Sequence, residues 1–548
     1  MNQETTSGMV VTPHWQASQV GQAVLQEGGN AVEATVAAAA ALCALYPHMT
    51  GLGGDGFWLV LEGGASDPVF IDACGRSGHA VEADYCARNG LGSLPMRGPH
   101  AALTVAGAVS GWEAALAVAH SWQHKGHAVQ PLARLLGPAA DFAEQGITVT
   151  ASQAAMTVAK QDQLCLQPGF AEVFLPGGHP PAPGQRMHLP ALGNTLHRLA
   201  LEGLSSFYTG AVAEDLAADL GAAENALTLH DLQSHTATVG AAVRMNHRLG
   251  SFFNCPPPTQ GTSSLLILGQ VLWLLDHAGL DVQDEAAFVH AIVESTKTAF
   301  ILRNRCVGDP AYMAENVQHW VQPEFMAGLA KGISMAQAAP WPCQSPAGGD
   351  TVWLGAIDRW GNAASCIQSI YHEFGSGVVL PRTGVTWHNR ALGFGLYRGH
   401  PNALGPGKKP FHTLNPAMAR LADGRLAVYG TMGGEGQPQT QAAVLLRWLL
   451  GGLNPQTAVS RPRWLLGRAW GDVSDSLKVE ADFAPQVLVR LRGMGHEVEL
   501  TPACNPLMGH AGLIVREPDG TLQGGADPRG DGCVAGCTPV PLRKRGEK

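Results

Sequence analysis

The chain has 548 residues, 45% of them hydrophobic and 14% charged, with a formal net charge of -9. That composition suits a large buried core and excludes a disordered chain. The acidic balance gives no reason to expect nucleic acid as a partner, and the length fits two to four domains or one large layered unit, at roughly 150 residues per domain.

The first residues, "MNQETTSGMVVTPHW", lack the basic start and apolar run of a secretory signal. Residues 16 to 46 read as helix, with a Gly-Gly-Asn break at 28 to 30 and an Ala-rich second half. That half, "AVEATVAAAAALCALYP", is the longest apolar stretch, yet it carries Glu33 and is too short and weakly hydrophobic to span a bilayer. A buried helix and a cytoplasmic protein away from any membrane are expected. "GLGGDGFWLVLEG" is a glycine loop feeding a strand, and "PVFIDACG" is a second strand. A nucleotide-binding reading of "GLGGDG" fails, because the third glycine of the fingerprint is absent and no suitable acid follows.

Residues 110 to 160 read as helical, 176 to 184 as a Pro/Gly-rich connection, and 190 to 233 as helical again. "CPPPTQGTSSLLILGQVLWLLDHAG" is a proline-rich turn running into an apolar helix, and "AFVHAIVESTKTAFILRNR" is another helix. From 312 to 350 periodicity fades, and the stretch ends in "CQSPAGGD". Strands are expected at 352 to 358, 363 to 371 and 425 to 431, with one helix near 438 to 450. The 11 cysteines follow no ladder of spacings. Cys533 and Cys537, four apart, match no zinc or haem pattern and read as reduced thiols. The 22 histidines show no HExxH or similar helical pair, so neither metal nor cofactor is expected.

Thr351 stands where a Gly-rich loop meets the first residue of a core strand. A β-branched residue suits that place without any chemistry. Its neighbours argue for more. "GMVVTPHWQASQVGQAVLQEGGNAVEATVAAAAAL", "GLGGDGFWLV", "TVAGAVSGW", "FYTGAVAEDLA", "PPPTQGTSSLLIL", "GDTVWLGAIDRWGNAAS", "FGSGVVLPRTGV", "HNRALGF" and "MGGEGQPQTQAAVLL" together resemble the γ-glutamyltransferase family, in order, from about residue 8 to 535. The resemblance implies an α+β fold, the αββα four-layer sandwich of N-terminal-nucleophile (Ntn) hydrolases, with two stacked antiparallel sheets flanked by helices. It also implies one precursor that cuts itself between Asp350 and Thr351 into an α subunit, 1–350, and a β subunit, 351–548. A dimer of such heterodimers is left open.

The chemistry fits that cut. A threonine hydroxyl needs a base to attack at neutral pH, and a free α-amine, with an ordinary pKa of roughly 7.7–8.0, is well matched to the task. Cleavage before Thr351 puts both groups on one residue, and an exposed glycine loop would let the Asp350 carbonyl reach the hydroxyl. By the resemblance, Ser369 orients the nucleophile, the backbone N–H groups of Gly433 and Gly434 form the oxyanion hole, and Asn389 lies beside the pocket.

The substrate positions depart from the γ-glutamyl pattern. Cys74 holds the usual place of a carboxylate-binding Arg, which leaves Arg76, two residues later, as candidate clamp. Arg390 and Gly393 stand where Gln and Asp would hold an α-amine, and His412 and Thr413 replace a Ser-Ser pair. A cation in place of a carboxylate repels an ammonium. A small carboxylate amide lacking an α-amine is therefore the expected substrate, with oxamate first, and "GGDTVW" and "GGEGQPQTQ" are similar to the oxamate amidohydrolase branch of the family. The alternatives are a glutathione or γ-glutamyl hydrolase or transferase, a cephalosporin-acylase-like amidase, and an inactive binding protein that keeps the fold.

Overall fold

The computed structural model describes residues 4–122, 124–341, 349–468 and 474–537. Two seven-stranded antiparallel sheets lie face to face between two helical layers. The first sheet runs, edge to edge, through Cys533–Gly536, Gly8–Thr12, Asp350–Asp358, Ala363–Tyr371, Asp55–Leu61, Val69–Ala73 and Thr238–Ala241. The second runs through Glu4–Thr5, Leu522–Ala526, Ala511–Arg516, Leu426–Thr431, Ala417–Leu421, Gly250–Asn254 and Val243–His247. This is the expected αββα sandwich.

Strand alternation assigns the layers. Val352, Leu354 and Ala356 face the helical layer that contains Ala31–Leu45, whereas Trp353 and Ile357 join Phe57, Ile367, Met418, Val428 and Ile514 between the sheets. Ala31–Leu45 is buried at every position, and its small side chains let it lie close on the sheet. A capping box starts it: Asn30 accepts from the N–H groups of Val32 and Glu33, and Glu33 accepts from Asn30 N–H at 2.7 Å. The Ala31 N–H also donates to Asp358 Oδ2 at 3.0 Å, which ties the helix to the end of strand Asp350–Asp358.

The expected helix at 16 to 46 is two helices, Trp15–Gln26 and Ala31–Leu45, broken at the Gly-Gly-Asn. Strand Ala363–Tyr371 matches its expected bounds, and Gln437–Leu449 is the helix expected near 438 to 450. Two expectations need correction. The stretch 312 to 350 holds a helix, Pro323–Ala330, whose eight residues bury only Met326 and Ala330 and so leave little apolar period to read. Among the described residues the C-terminal part has further α-helices, Pro455–Ser460 and Pro485–Gly493, which accompany a small sheet of Trp464–Leu466, Leu477–Glu480 and Val498–Thr501.

Candidate active site

Thr351 shares the inner face of its strand with Trp353, is 1% exposed, and its Oγ has no hydrogen-bond partner among the described residues. The strand begins at Asp350 and takes in Thr351 as its second residue. Most of the expected loop, residues 342–348, lies outside the described residues. Gly349, expected in an exposed loop, is instead buried, and a Cβ there would meet the Tyr371 ring at 2.4 Å.

The register shifts between Asp350 and Val352, so that one residue of this strand faces two of the next. Ser369 lies at that shift on the inner face, is fully buried, and its Oγ accepts from Tyr371 N–H at 2.8 Å. Gln368 points the other way, accepting from Trp112 Nε1 at 2.9 Å in the helical layer. One strand further, Asp55 pairs in register with Ser369. Thr351, Ser369 and Asp55 thus form a row across three neighbouring strands on one face.

Asp55 was missed as a site residue. It is fully buried; Oδ1 accepts from the N–H groups of Gly75 at 3.0 Å and Gly107 at 3.2 Å. Oδ2 faces His388 Nδ1 at 3.2 Å, off hydrogen-bond alignment, His412 Nε2 at 3.7 Å and Arg390 Nε at 3.9 Å. Burial works to raise the carboxyl, but His388 and the Arg390 guanidinium outweigh it and hold its pKa down at about 2. Its signal in the sequence is an acid opening a strand of seven buried residues.

Arg390 is fully buried in the short turn Arg390–Gly393, with its guanidinium over the Tyr371 ring at 3.9 Å. None of its three guanidinium nitrogens has a hydrogen-bond partner among the described residues. Leaving buried donors unpaired costs about 1–3 kcal/mol each, more when they carry charge. His412 is also buried, with neither ring nitrogen hydrogen-bonded to a described residue, edge-on to Phe57 at 4.9 Å; burial and then Arg390 push its pKa well below the ordinary value, so the ring is neutral. Thr413 Oγ is buried and unpartnered as well.

Gly433 and Gly434 follow strand Leu426–Thr431 of the facing sheet, and strands Asp350–Asp358 and Leu426–Thr431 pack against each other. Both glycines have positive φ, 119° and 50°, which side chains rarely adopt. Thr431 Oγ donates to Met432 O at 2.6 Å, and Gly436 N–H donates to Gly433 O at 2.8 Å. In a trans peptide the N–H points opposite to the C=O, so these bonds aim the Gly433 and Gly434 N–H groups away from both anchors. Neither N–H donates to a described residue.

Two expected residues lie apart from this cluster. Asn389 is spent on the backbone, accepting from His372 N–H at 3.1 Å and donating to Met96 O at 2.9 Å. Arg76 has a side chain 49% exposed and donates to Gly407 O at 3.0 Å and Asp309 at 3.3 Å. It lines a cavity of about 280 Å³ with Cys74, His235 and Lys409, and that cavity includes neither Thr351 nor Arg390. Cys74 takes the inward place between the sheets, and Arg76, whose carbonyl accepts from Val105 N–H at 3.0 Å, emerges towards solvent. The one group of three possible metal ligands among the described residues, His290, Glu294 and His496, is occupied internally: His290 bonds His496 at 2.7 Å, and Lys297 holds Glu294 at 2.6 Å.

The family described as Gamma-glutamyltranspeptidase matches residues 17–537. The chain is 52% identical to the oxamate amidohydrolase proenzyme of Klebsiella pneumoniae, covering 97% of this chain and 99% of that one. It is 38% identical to the glutathione hydrolase-like YwrD proenzyme of Bacillus subtilis, covering 97% and 98%. The crystal structure of cephalosporin acylase from Bacillus halodurans superposes with a TM-score of 0.88 at 30% identity, over 98% of this chain and 97% of that one. The row of inner-face hydroxyls, the glycine pair opposite and these likenesses agree: the chain belongs to the gamma-glutamyltranspeptidase family, with its Ntn-hydrolase fold.

Proposed function

We propose that the chain cleaves itself between Asp350 and Thr351 and then hydrolyses oxamate to oxalate and ammonia through an acyl-enzyme on Thr351. The observation that carries the substrate choice is Arg390, a buried guanidinium with no hydrogen-bonded partner among the described residues, beside the Thr351–Ser369–Asp55 row. A planar fork of donors suits a carboxylate taken bidentately. The ammonium of a γ-glutamyl group would meet a cation there, and the nearby acid Asp55 already faces Arg390 and two histidines.

In maturation, Thr351 Oγ attacks the Asp350 carbonyl carbon and its proton passes to the peptide nitrogen, which leaves as the Thr351 amine; water then hydrolyses the resulting ester, freeing the Asp350 carboxyl and restoring the Thr351 hydroxyl. In turnover, that amine takes the Oγ proton as Oγ adds to the oxamate amide carbon. The developing oxyanion receives the N–H groups of Gly433 and Gly434, a type of donor worth roughly 2.7–4 kcal/mol each. The proton passes to the amide nitrogen, and ammonia departs, leaving an oxalyl ester. Water, losing a proton to the amine, hydrolyses the ester, and Thr351 Oγ recovers its proton as oxalate leaves. Ser369, next in the row, orients the nucleophile, and Thr413 and neutral His412 line the carboxylate end. The relatives support this reading, since one is an oxamate amidohydrolase proenzyme by name.

Ammonia release from oxamate, set against p-nitroaniline release from a γ-glutamyl anilide, tests it. The higher kcat/KM is expected with oxamate. A higher value with the anilide would replace this reading with a γ-glutamyl hydrolase.

A further inference from the structure

We infer that Gln260, held by Arg303 and Glu435, is a positioning residue that aims the Gly433–Gly434 donor loop and fixes it to the Thr413 segment. The inference rests on the oxyanion role given above to Gly433 and Gly434.

Gln260 is fully buried at the start of helix Gly261–His277. Its Nε2 donates to Thr413 O at 2.7 Å and to Gly434 O at 2.8 Å, so one amide joins the stretch that leads into strand Ala417–Leu421 to the loop that leaves its paired neighbour, Leu426–Thr431. Its Oε1 accepts from Arg303 Nη1 at 2.8 Å. The amide can face only this way, since a guanidinium only donates and a carbonyl only accepts. Its own N–H donates to His412 O at 2.9 Å, which fixes the residue before Thr413 too.

Arg303 is locked in turn. It comes from the long helix Glu285–Cys306, places Nη2 2.6 Å from Glu435 Oε2, and lies over the Phe300 ring at 3.8 Å. Both side chains of that ion pair are 1% exposed. Glu435 directly follows the glycine pair, so the ion pair grips the loop itself. Breaking such a buried pair leaves an unmatched charge and is strongly destabilising locally.

The consequence follows from peptide geometry. Thr431 holds the Met432 carbonyl, Gly436 holds the Gly433 carbonyl, and Gln260 holds the Gly434 carbonyl. Three successive peptide planes are pinned on their carbonyl sides. Two glycines in a row would otherwise rotate freely, and donors that stabilise a transition state must be aimed before the reaction. Gln260 is the only one of the three anchors that comes from outside the loop and its strand.

The test is Gln260→Met, which keeps length and apolar bulk but donates nothing, measured on cleaved chains only. Arg303→Lys, which keeps the charge beside Glu435 but loses the fork, serves should Gln260→Met not fold. For oxamate, kcat is expected to fall about tenfold to a hundredfold with KM within about threefold, the pattern of a lost transition-state interaction. A crystal structure of the variant is expected to show Gly433–Glu435 rotated. An unchanged kcat with the loop in place overturns the positioning role, as does a lost kcat with the loop in place. An unchanged kcat with the loop rotated overturns the oxyanion reading instead.

Discussion

Arg390 and Arg76 differ in what surrounds them rather than in type. Arg390 is sealed between the Tyr371 ring and the Asp55 carboxylate with no hydrogen bond to a described residue, whereas Arg76 has two partners and is half exposed. A charge-assisted hydrogen bond contributes about 1.5–3 kcal/mol, so Arg390→Met should raise KM for oxamate by about tenfold to a hundredfold. Arg76→Ala should change KM by less than about threefold, because a solvated arginine has little left to lose. Steady-state kinetics on both cleaved variants measures this; equal effects would move the carboxylate site to the Arg76 cavity. The sequence showed Arg390 through the loss of the usual glutamine and aspartate. It concealed Asp55, whose importance depends on strand register with Ser369 and on three cations or rings brought from residues 388 to 412. No local pattern carries that information.

Strand Asp350–Asp358 is held at its depth by Trp353, two residues from the candidate nucleophile. Its Nε1 donates to Ser365 Oγ at 3.0 Å, and its ring lies against Gly430 and Gly512 of the facing sheet. A Cβ on Gly512 would come within 2.0 Å of the ring, and on Gly430 within 2.1 Å. Gly512→Ala should therefore destabilise the protein by about 1–3 kcal/mol, the range for overpacking a filled core. Gly328→Ala, exposed in helix Pro323–Ala330 with open space around it, should be neutral or stabilising. Urea unfolding of the two variants compares them, and an unshifted midpoint for Gly512→Ala would mean that the sheets separate easily beside Thr351. Glycines also explain why the second sheet was hard to read. "LQGGA" has two glycines in five residues and so weak strand preference alone, and it is a strand through its pairing with "AGLIVR" beside it. Strands Ala363–Tyr371 and Leu426–Thr431 are rich in buried apolar residues and were legible.

Across the whole molecule, the Ntn sandwich was legible because the matching segments run in order along nearly all of the chain. Strand Asp350–Asp358, which carries Thr351, packs against strand Leu426–Thr431, which leads into Gly433–Gly434, and helix Gly261–His277 and helix Glu285–Cys306 brace that glycine loop through Gln260 and Arg303. What sequence alone could not supply was this long-range bracing, since Gln260, Arg303 and Glu435 are ordinary polar residues until the fold joins them. The central claim is that Thr351 becomes both a new N-terminus and the carrier of the acyl group. Intact-mass spectrometry of purified protein, acid-quenched during turnover of oxamate and followed by peptide mapping, tests it most directly. The account predicts two fragments, 1–350 and 351–548, with an oxalyl group on the Thr351 hydroxyl of the smaller one. A single uncut chain that still releases ammonia, or an oxalyl group mapped to any other residue, would contradict it.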